Sequence, residues 1–162
     1  MTMTMTKSQI IKKAAFTVLG LGTTLSGDYQ ELPSQKRAFW QTVHEDGRFT
    51  SLMTLAQNQQ QFAVNEAIDG KMFFYAGVQT DANVSVGETQ RAISFPASDY
   101  LVVTGEAATE TALFELLEGQ SFGEVLPGLN GYAYVGGPNT TVITNHQHDL
   151  VQGEMWIPIV TK

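Results

Sequence analysis

GKMFFY, at residues 70–75, resembles GEMWIP, at residues 153–158, and the two stretches begin 83 residues apart. A second pair repeats at nearly the same distance, because Phe16-Thr-Val-Leu19 matches Tyr100-Leu-Val-Val103 with an offset of 84 residues. Each stretch is rich in the aromatic and β-branched residues that favour strands. Two matches at nearly one spacing indicate an internal duplication.

The first half of the chain has a clear order of predicted elements. A strand over residues 14–25 precedes a helix that starts near Pro33. Two strands follow over residues 62–68 and 72–80. Asp69-Gly70 joins them, and this dipeptide is a strong signal for a two-residue hairpin turn. The first repeat is therefore predicted to be strand, helix, strand, strand.

The second half repeats this order. A strand near Tyr100 precedes a helix that Thr109 can cap, and two last strands lie near residues 140–146 and 155–160. The sequence thus predicts an α+β fold of duplicated βαββ repeats, which form an antiparallel sheet with helices on one face. A central ligand cleft is expected where the repeats meet, because pockets favour junctions between modules.

The 162 residues are enough for one domain. We expect residues 1–12 to be a flexible N-terminus and residues 13–162 to form a single domain, with pseudo-repeats over about 13–80 and 91–162. Lys12 and Lys13 precede a short apolar run, which imitates a signal peptide. Glycines and threonines dilute that run, so a first strand in a cytoplasmic protein is the favoured interpretation.

Composition excludes several classes of function. There is no cysteine, so disulfide frameworks and thiolate chemistry are excluded. The net charge of −7 disfavours direct contact with nucleic acid and favours neutral or cationic ligands. No stretch approaches the roughly 20 apolar residues of a membrane-spanning helix. No cofactor is expected, and the oligomeric state is left open.

Aromatic side chains concentrate where the cleft is expected. Such rings pack either in a core or against a ligand, and for each ring both roles are open. The candidates for ligand contact are Trp40, Phe73, Tyr75, Phe95, Tyr100, Tyr134 and Trp156.

Two acidic residues are added to these candidates. Glu154 begins the last predicted strand between aromatic residues, and Glu106 follows the Tyr100 strand. A carboxylate buried among rings is costly unless it is paired, so a ligand cation is one partner that Glu154 could have. Exposure on a hairpin is the alternative. Two carboxylates in one pocket could also act as general acid and base.

A metal site is not expected. His146 and His148 stand two residues apart beside Asp149, but a third convincing ligand is missing from the sequence, and a polar hairpin loop is the favoured interpretation. Nucleophile-elbow, phosphate-loop and zinc-protease motifs are also missing. The sequence therefore carries no strong signature of an enzyme.

Three segments resemble the GyrI-like domains, which are the effector-binding domains of AraC-type and MerR-type multidrug regulators. They are Phe73-Phe-Tyr-Ala-Gly-Val78, Phe95-Pro-Ala-Ser-Asp-Tyr100 and Gly153-Glu-Met-Trp-Ile-Pro-Ile159, in the family's order. The resemblance extends from about residue 14 to residue 160. It implies paired βαββ repeats around a cleft for varied, often cationic and aromatic, small molecules.

The resemblance also implies roles for single residues. The family's acidic residue corresponds to Glu154, its tyrosine after a proline turn to Tyr100, and its aromatic before Ala-Gly-Val to Tyr75. Trp40 is similar to the tryptophan of the first helix. Full-length regulators carry a DNA-reading domain ahead of this module, and only about a dozen residues precede the first predicted strand here.

Three functions follow from these observations. The leading one is a stand-alone protein that binds or senses lipophilic, cationic or aromatic small molecules. The second is a hydrolase acting on reactive small molecules, with Glu154, Glu106 and Tyr100 as its catalytic residues. The third is a protein that contacts a partner, either DNA gyrase or a separate regulator.

Overall fold

The computed structural model describes residues 6–28, 30–147 and 149–162. Within these residues the chain forms three α-helices, one π-helical turn and nine strands. The strands are β1 Lys7–Lys13, β2 Phe16–Leu25, β3 Gln61–Ile68, β4 Lys71–Thr80, β5 Gln90–Phe95, β6 Ser98–Ala107, β7 Tyr132–Tyr134, β8 Asn139–Gln147 and β9 Leu150–Thr161. The helices are α1 Leu32–Glu45, α2 Arg48–Met53 and α3 Glu110–Gln120, and the π-helical turn is Ser121–Val125.

The strands form one antiparallel sheet in the order β1-β6-β9-β8-β3-β4-β2-β5, with β7 paired to β9. Strands β2, β3 and β4 with α1 make the first repeat, and β6, β8 and β9 with α3 make the second. The two halves meet at β3 and β8, which lie side by side in the centre. The prediction of an α+β fold with an antiparallel sheet is confirmed.

The edge strands exchange partners between the repeats. Strand β1 precedes the first repeat but pairs with β6 of the second, and β5 precedes the second repeat but pairs with β2 of the first. The structure thus has a strand over residues 7–13 where the sequence suggested a flexible N-terminus. Residues 1–5 lie outside the described part of the chain.

Local signals in the sequence explain where elements begin and end. Asp69 and Gly70 have φ angles of 51° and 79°, which a tight turn with a right-handed strand twist requires. Thr109 accepts a hydrogen bond from the backbone N–H of Ala112 at 3.1 Å, as a helix N-cap does. Pro33 lies in the first turn of α1, where its missing N–H has no consequence.

Both faces of the sheet are apolar. The helix side packs against α1, α2 and α3, and α3 approaches closely because Gly105 and Gly153 carry no side chain beneath it. A Cβ at Gly153 would lie 2.9 Å from Cδ2 of Leu113. On the opposite face, the rings of Phe16 in β2 and Trp156 in β9 lie 5.5 Å apart. Backbones four strands apart are separated by about 19 Å in a flat sheet, so this face is concave.

Among the residues that the structure describes, no helix is both long and apolar enough to cross a membrane. The longest helix, α1, has 14 residues. The run over residues 14–22, which imitates a signal peptide in sequence, mostly belongs to β2.

Candidate functional site

A cleft of about 560 Å³ opens on the helix side of the sheet, where the two repeats meet. Helix α1 forms one wall, the end of α3 with the π-helical turn forms the other, and the central strands form the floor. Such a volume is typical of small-molecule sites. Its lining residues are Leu32, Pro33, Lys36, Asn65, Glu66, Ala67, Met72, Glu118, Phe122, Tyr134, Gly136, Gly137 and Asn139.

A directed chain of hydrogen bonds crosses the floor of this cleft. Nδ2 of Asn65 donates to Oε1 of Glu118 at 2.8 Å and to Oδ1 of Asn139 at 2.9 Å. Nδ2 of Asn139 then donates to the hydroxyl oxygen of Tyr134 at 3.0 Å, and that hydroxyl donates to the carbonyl of Gly137. Because a carboxylate only accepts, Glu118 fixes the orientation of the Asn65 amide.

Glu118 and Lys36 form an ion pair between the two walls. Nζ of Lys36 lies 3.0 Å from Oε1 and 3.2 Å from Oε2 of Glu118. The side chain of Lys36 is 12 % exposed and that of Glu118 is 26 % exposed. The ammonium group also lies 5.7 Å from the centre of the Phe74 ring. Within the cleft, the carboxylate of Glu118 and the ammonium group of Lys36 therefore neutralise each other.

Two aromatic rings stand at the second wall. The rings of Phe122 and Tyr134 lie 5.9 Å apart, and Phe122 is 37 % exposed. Burial raises the pKa of the Tyr134 hydroxyl, so this group stays protonated and acts as a neutral donor. A large exposed ring beside a cleft offers a flat surface on which an aromatic ligand could stack.

The structure divides the nine predicted ligand-contact residues between the two faces of the sheet. Tyr134 lines the cleft. Trp40 is buried under the helices, where its Nε1 donates to Oε1 of Glu110 at 2.9 Å. The other seven lie on the concave face, because side chains alternate along each strand. They are Phe73, Tyr75, Phe95, Tyr100, Glu106, Glu154 and Trp156.

Glu154 and Trp156 are neighbours on the concave face. Nε1 of Trp156 donates to Oε1 of Glu154 at 2.9 Å, and the Thr104 hydroxyl lies 3.5 Å from Oε2. Nζ of Lys13 lies 3.9 Å from the centre of the Trp156 ring, which is a cation–π contact. The Phe16 ring lies 5.5 Å from the Trp156 ring and stacks on Phe95 at 4.6 Å. This face is packed as a core.

Tyr75 lies over a slot made by two glycines of β2. A Cβ at Gly20 or Gly22 would come within 2.8 Å or 2.6 Å of its atoms. The Tyr75 hydroxyl donates to Oε1 of Glu66 at 2.9 Å, and Nε of Arg91 donates to the same oxygen at 2.8 Å. Burial first, and then the bond to Glu66, raise the pKa of Tyr75 to about 12. The Gly20-Leu-Gly22 stretch thus makes room for a ring.

Tyr100 and Glu106, the other two proposed acid or base groups, also have partners within the protein. The Tyr100 hydroxyl donates to the carbonyl of Pro96 at 2.7 Å, and burial holds the pKa of Tyr100 far above its ordinary value. Nε2 of Gln152 donates to Oε2 of Glu106 at 3.3 Å. Both residues lie on the same face as Glu154, away from the cleft.

The histidines do not form a metal site in the described residues, which contain no group of three or more His, Cys, Asp or Glu side chains placed to hold a metal ion. Nε2 of His146 lies 2.9 Å from Oε2 of Glu110. His148 lies outside the described residues. His44 contacts the backbone carbonyl of Trp40 at 2.7 Å and stacks on Phe49.

Most polar residues in the cleft were not predicted from the sequence, namely Lys36, Asn65, Glu66, Glu118 and Asn139. One signal was available. Asn65 interrupts the apolar run Phe62-Ala-Val64 in a central strand, and a polar side chain at such a position requires a hydrogen-bond partner. The partner itself lies in the other repeat, so the sequence alone could not identify it.

The fold and the cleft define a duplicated α+β effector-binding domain. The chain matches the family model of Cass2, the integron-associated effector-binding proteins, over residues 9–159. It therefore belongs to this family, which confirms the GyrI-like resemblance and the binding of small molecules as its general function. A search of curated proteins finds no match.

Solved structures share the fold at low sequence identity. A structure of SAV2435 bound to tetraphenylphosphonium is 18 % identical, with a TM-score of 0.76 over 95 % of this chain and 94 % of that one. A protein from Staphylococcus aureus MU50 assigned to bacterial transcription regulation is 17 % identical, with a TM-score of 0.73 over 94 % of this chain and 97 % of that one. The Vibrio cholerae integron cassette protein VCH_CASS2 is 11 % identical, with a TM-score of 0.60 over 94 % of this chain and 95 % of that one.

Proposed function

We propose that this protein binds lipophilic organic cations with aromatic groups in the cleft between its two repeats. The observation that carries the proposal is the position of Glu118, a partly buried carboxylate in a cleft with a ring-bearing wall. A carboxylate attracts a cation more strongly when both are partly removed from water. Phe122 and Tyr134 would stack against the ligand's rings.

Two further observations support a cationic ligand. The net charge of −7 draws cations toward the surface before they reach the cleft. The similar fold of SAV2435 was solved with tetraphenylphosphonium, a cation with four phenyl groups. We further propose that the protein works in the cytoplasm as a sensor or a sequestering protein.

The concave face is the alternative location for the same function. Glu154 lies there beside Trp156, and Lys13 already makes a cation–π contact with the same ring. The ring cluster of Phe16, Phe95 and Trp156 would have to open before a ligand could enter. The cleft requires no such opening, so we place the ligand there.

The test compares two matched substitutions. Isothermal titration with tetraphenylphosphonium would be done on the wild type, Glu118→Gln and Glu154→Gln. We expect Glu118→Gln to weaken binding by about tenfold or more, the equivalent of about 1.4 kcal/mol, and Glu154→Gln to change it less than about twofold. A larger loss in Glu154→Gln would move the site to the concave face. If the folded wild type does not bind this cation, the proposal fails.

A further inference from the structure

Lys36 holds its ammonium group at the point in the cleft where a ligand's positive charge would bind. We propose that this lysine sets the charge selectivity of the cleft by competing with organic cations for Glu118. The inference rests on the proposed function, because it concerns the same cleft. It adds that binding of a cation is an exchange, in which the ligand replaces a group that belongs to the protein.

The contacts of Lys36 are those by which proteins recognise ammonium ligands. Its Nζ contacts both oxygens of Glu118, and it lies 5.7 Å from the centre of the Phe74 ring. A carboxylate together with an aromatic face is a common arrangement for binding a cation. At 12 % exposure, the Lys36 side chain fills space in the cleft that a ligand would otherwise occupy.

The charges around the cleft show why this one lysine matters. Glu66 also borders the cleft, but its carboxylate is bonded to Arg91 and to Tyr75 on the concave face. Glu118 is therefore the carboxylate that a ligand in the cleft would meet, and Lys36 neutralises it. A free negative charge appears in the cleft only when the Lys36 side chain moves away.

Lys36 is able to move away at low cost. Its flexible four-carbon side chain starts from the second turn of α1, and an ammonium group is strongly hydrated once it reaches water. Asn65 continues to donate to Glu118 at 2.8 Å, so the carboxylate keeps one hydrogen bond and its position after the lysine leaves. The acceptor for the ligand's charge is thus held in place by a different residue.

Removing Lys36 and removing the charge of Glu118 should have opposite effects on the charge preference of the cleft. Without Lys36, the carboxylate of Glu118 is free and the cleft should prefer cations more strongly. Without the Glu118 charge, the ammonium of Lys36 is free and the cleft should prefer anions. Tetraphenylphosphonium and tetraphenylborate test this directly, because they have nearly the same shape and opposite charge.

The neighbouring residue supplies the matched control. Arg37 also bridges α1 to α3, through its Nη2 and Oε1 of Glu115 at 2.9 Å. This second ion pair is exposed, with both side chains close to half accessible, and it is not part of the cleft lining. Lys36→Met and Arg37→Met each remove one positive charge and one bridge between the helices, so they differ mainly in whether the cleft changes.

The experiment is a titration of the wild type, Lys36→Met, Arg37→Met and Glu118→Gln with the two tetraphenyl ions. Circular dichroism would confirm that each variant folds. If Lys36→Met does not fold, Lys36→Gln would be used in its place. We expect Lys36→Met to bind tetraphenylphosphonium about tenfold or more tightly than the wild type, and Arg37→Met to stay within about twofold. Glu118→Gln should bind tetraphenylborate more tightly than the wild type does.

The outcomes separate this inference from the proposed function. If the wild type binds the cation, Glu118→Gln loses it, and Lys36→Met gains no more than Arg37→Met, then the inference is overturned and the proposed function stands. If Lys36→Met binds the cation and the wild type does not, the inference stands and the proposed function of the natural chain fails. If neither protein binds it, both are overturned.

Discussion

Asn65 donates its amide Nδ2 to Oδ1 of Asn139 at 2.9 Å, across the line where the two repeats meet. The two asparagines are also register partners in β3 and β8, and they are 9 % and 7 % exposed. This hydrogen bond between two side-chain amides therefore joins the halves of the protein directly beneath the cleft. The stability of the junction and the shape of the candidate site depend on the same pair.

The first prediction concerns this pair. Asn65→Asp removes the amide donor and places a carboxylate beside Oε1 of Glu118 and Oδ1 of Asn139. Oδ1 of Asn139 loses its donor, and Glu118 keeps its bond from Lys36 but gains a second negative charge beside it. We expect a loss of about 2–4 kcal/mol in the free energy of unfolding at neutral pH, measured with urea. The control is Asn145→Asp, at an exposed position of β8, which should change stability by less than about 0.5 kcal/mol. Equal losses would contradict a special role for Asn65.

The second prediction concerns the glycines beneath and within α3. In Gly153→Ala the new methyl group would lie 2.4 Å from the carbonyl oxygen of Val142, so strand or helix must shift. We expect the variant to be less stable by about 2–3 kcal/mol in thermal unfolding.

Gly119→Ala is the matched control for that prediction. Gly119 lies in α3, and a Cβ there would meet no atom within 4 Å. Alanine has the better helix propensity, so this variant should gain up to about 1 kcal/mol. A stable Gly153→Ala protein would show that α3 does not pack as closely as the structure indicates.

The third prediction concerns the titration of Tyr75, whose pKa burial raises from 10.0 to about 12. The pKa is higher in the folded protein than in the unfolded chain, so this difference stabilises the fold below about pH 10. That contribution should be lost as the pH rises from 10 toward 12. We expect Tyr75→Phe to flatten the fall in stability over this range.

An ultraviolet titration would test the cause of this shift. The difference between the wild type and Tyr75→Phe isolates the absorbance of the Tyr75 phenolate. In Glu66→Gln the negative partner of the hydroxyl is removed, so the pKa of Tyr75 should fall toward its ordinary value. An unchanged pKa in Glu66→Gln would assign the whole shift to burial.

Much of the fold could be predicted because its signals are local or repeated. Asp69-Gly70 marks a hairpin through its own backbone preferences, and Thr109 caps α3 through a bond to a residue three positions away. The GKMFFY and GEMWIP stretches occupy the equivalent strands β4 and β9 of the two repeats. Strand β1 carried no such signal, because Lys7–Lys13 is mostly polar and becomes a strand only by pairing with β6.

The site was harder to predict than the fold. Alternation along β9 indicates that Glu154 and Trp156 share a face, and the structure places them together. It does not indicate which face the helices cover, since both faces of this sheet are apolar. Lys36 and Glu118 are 82 residues apart in the sequence. No local sequence pattern could therefore predict that they form an ion pair.

The exchange of edge strands between the repeats has a consequence for synthesis on the ribosome. Strand β1 is translated before its partner β6, and its register partners, from Thr104 opposite Lys7 to Ser98 opposite Lys13, emerge only when the second half is translated. Contacts between such distant parts of a chain form late, because the loop between them must first be closed. Strand β1 is thus fixed long after it is translated, and until then it is open to chaperones and proteases.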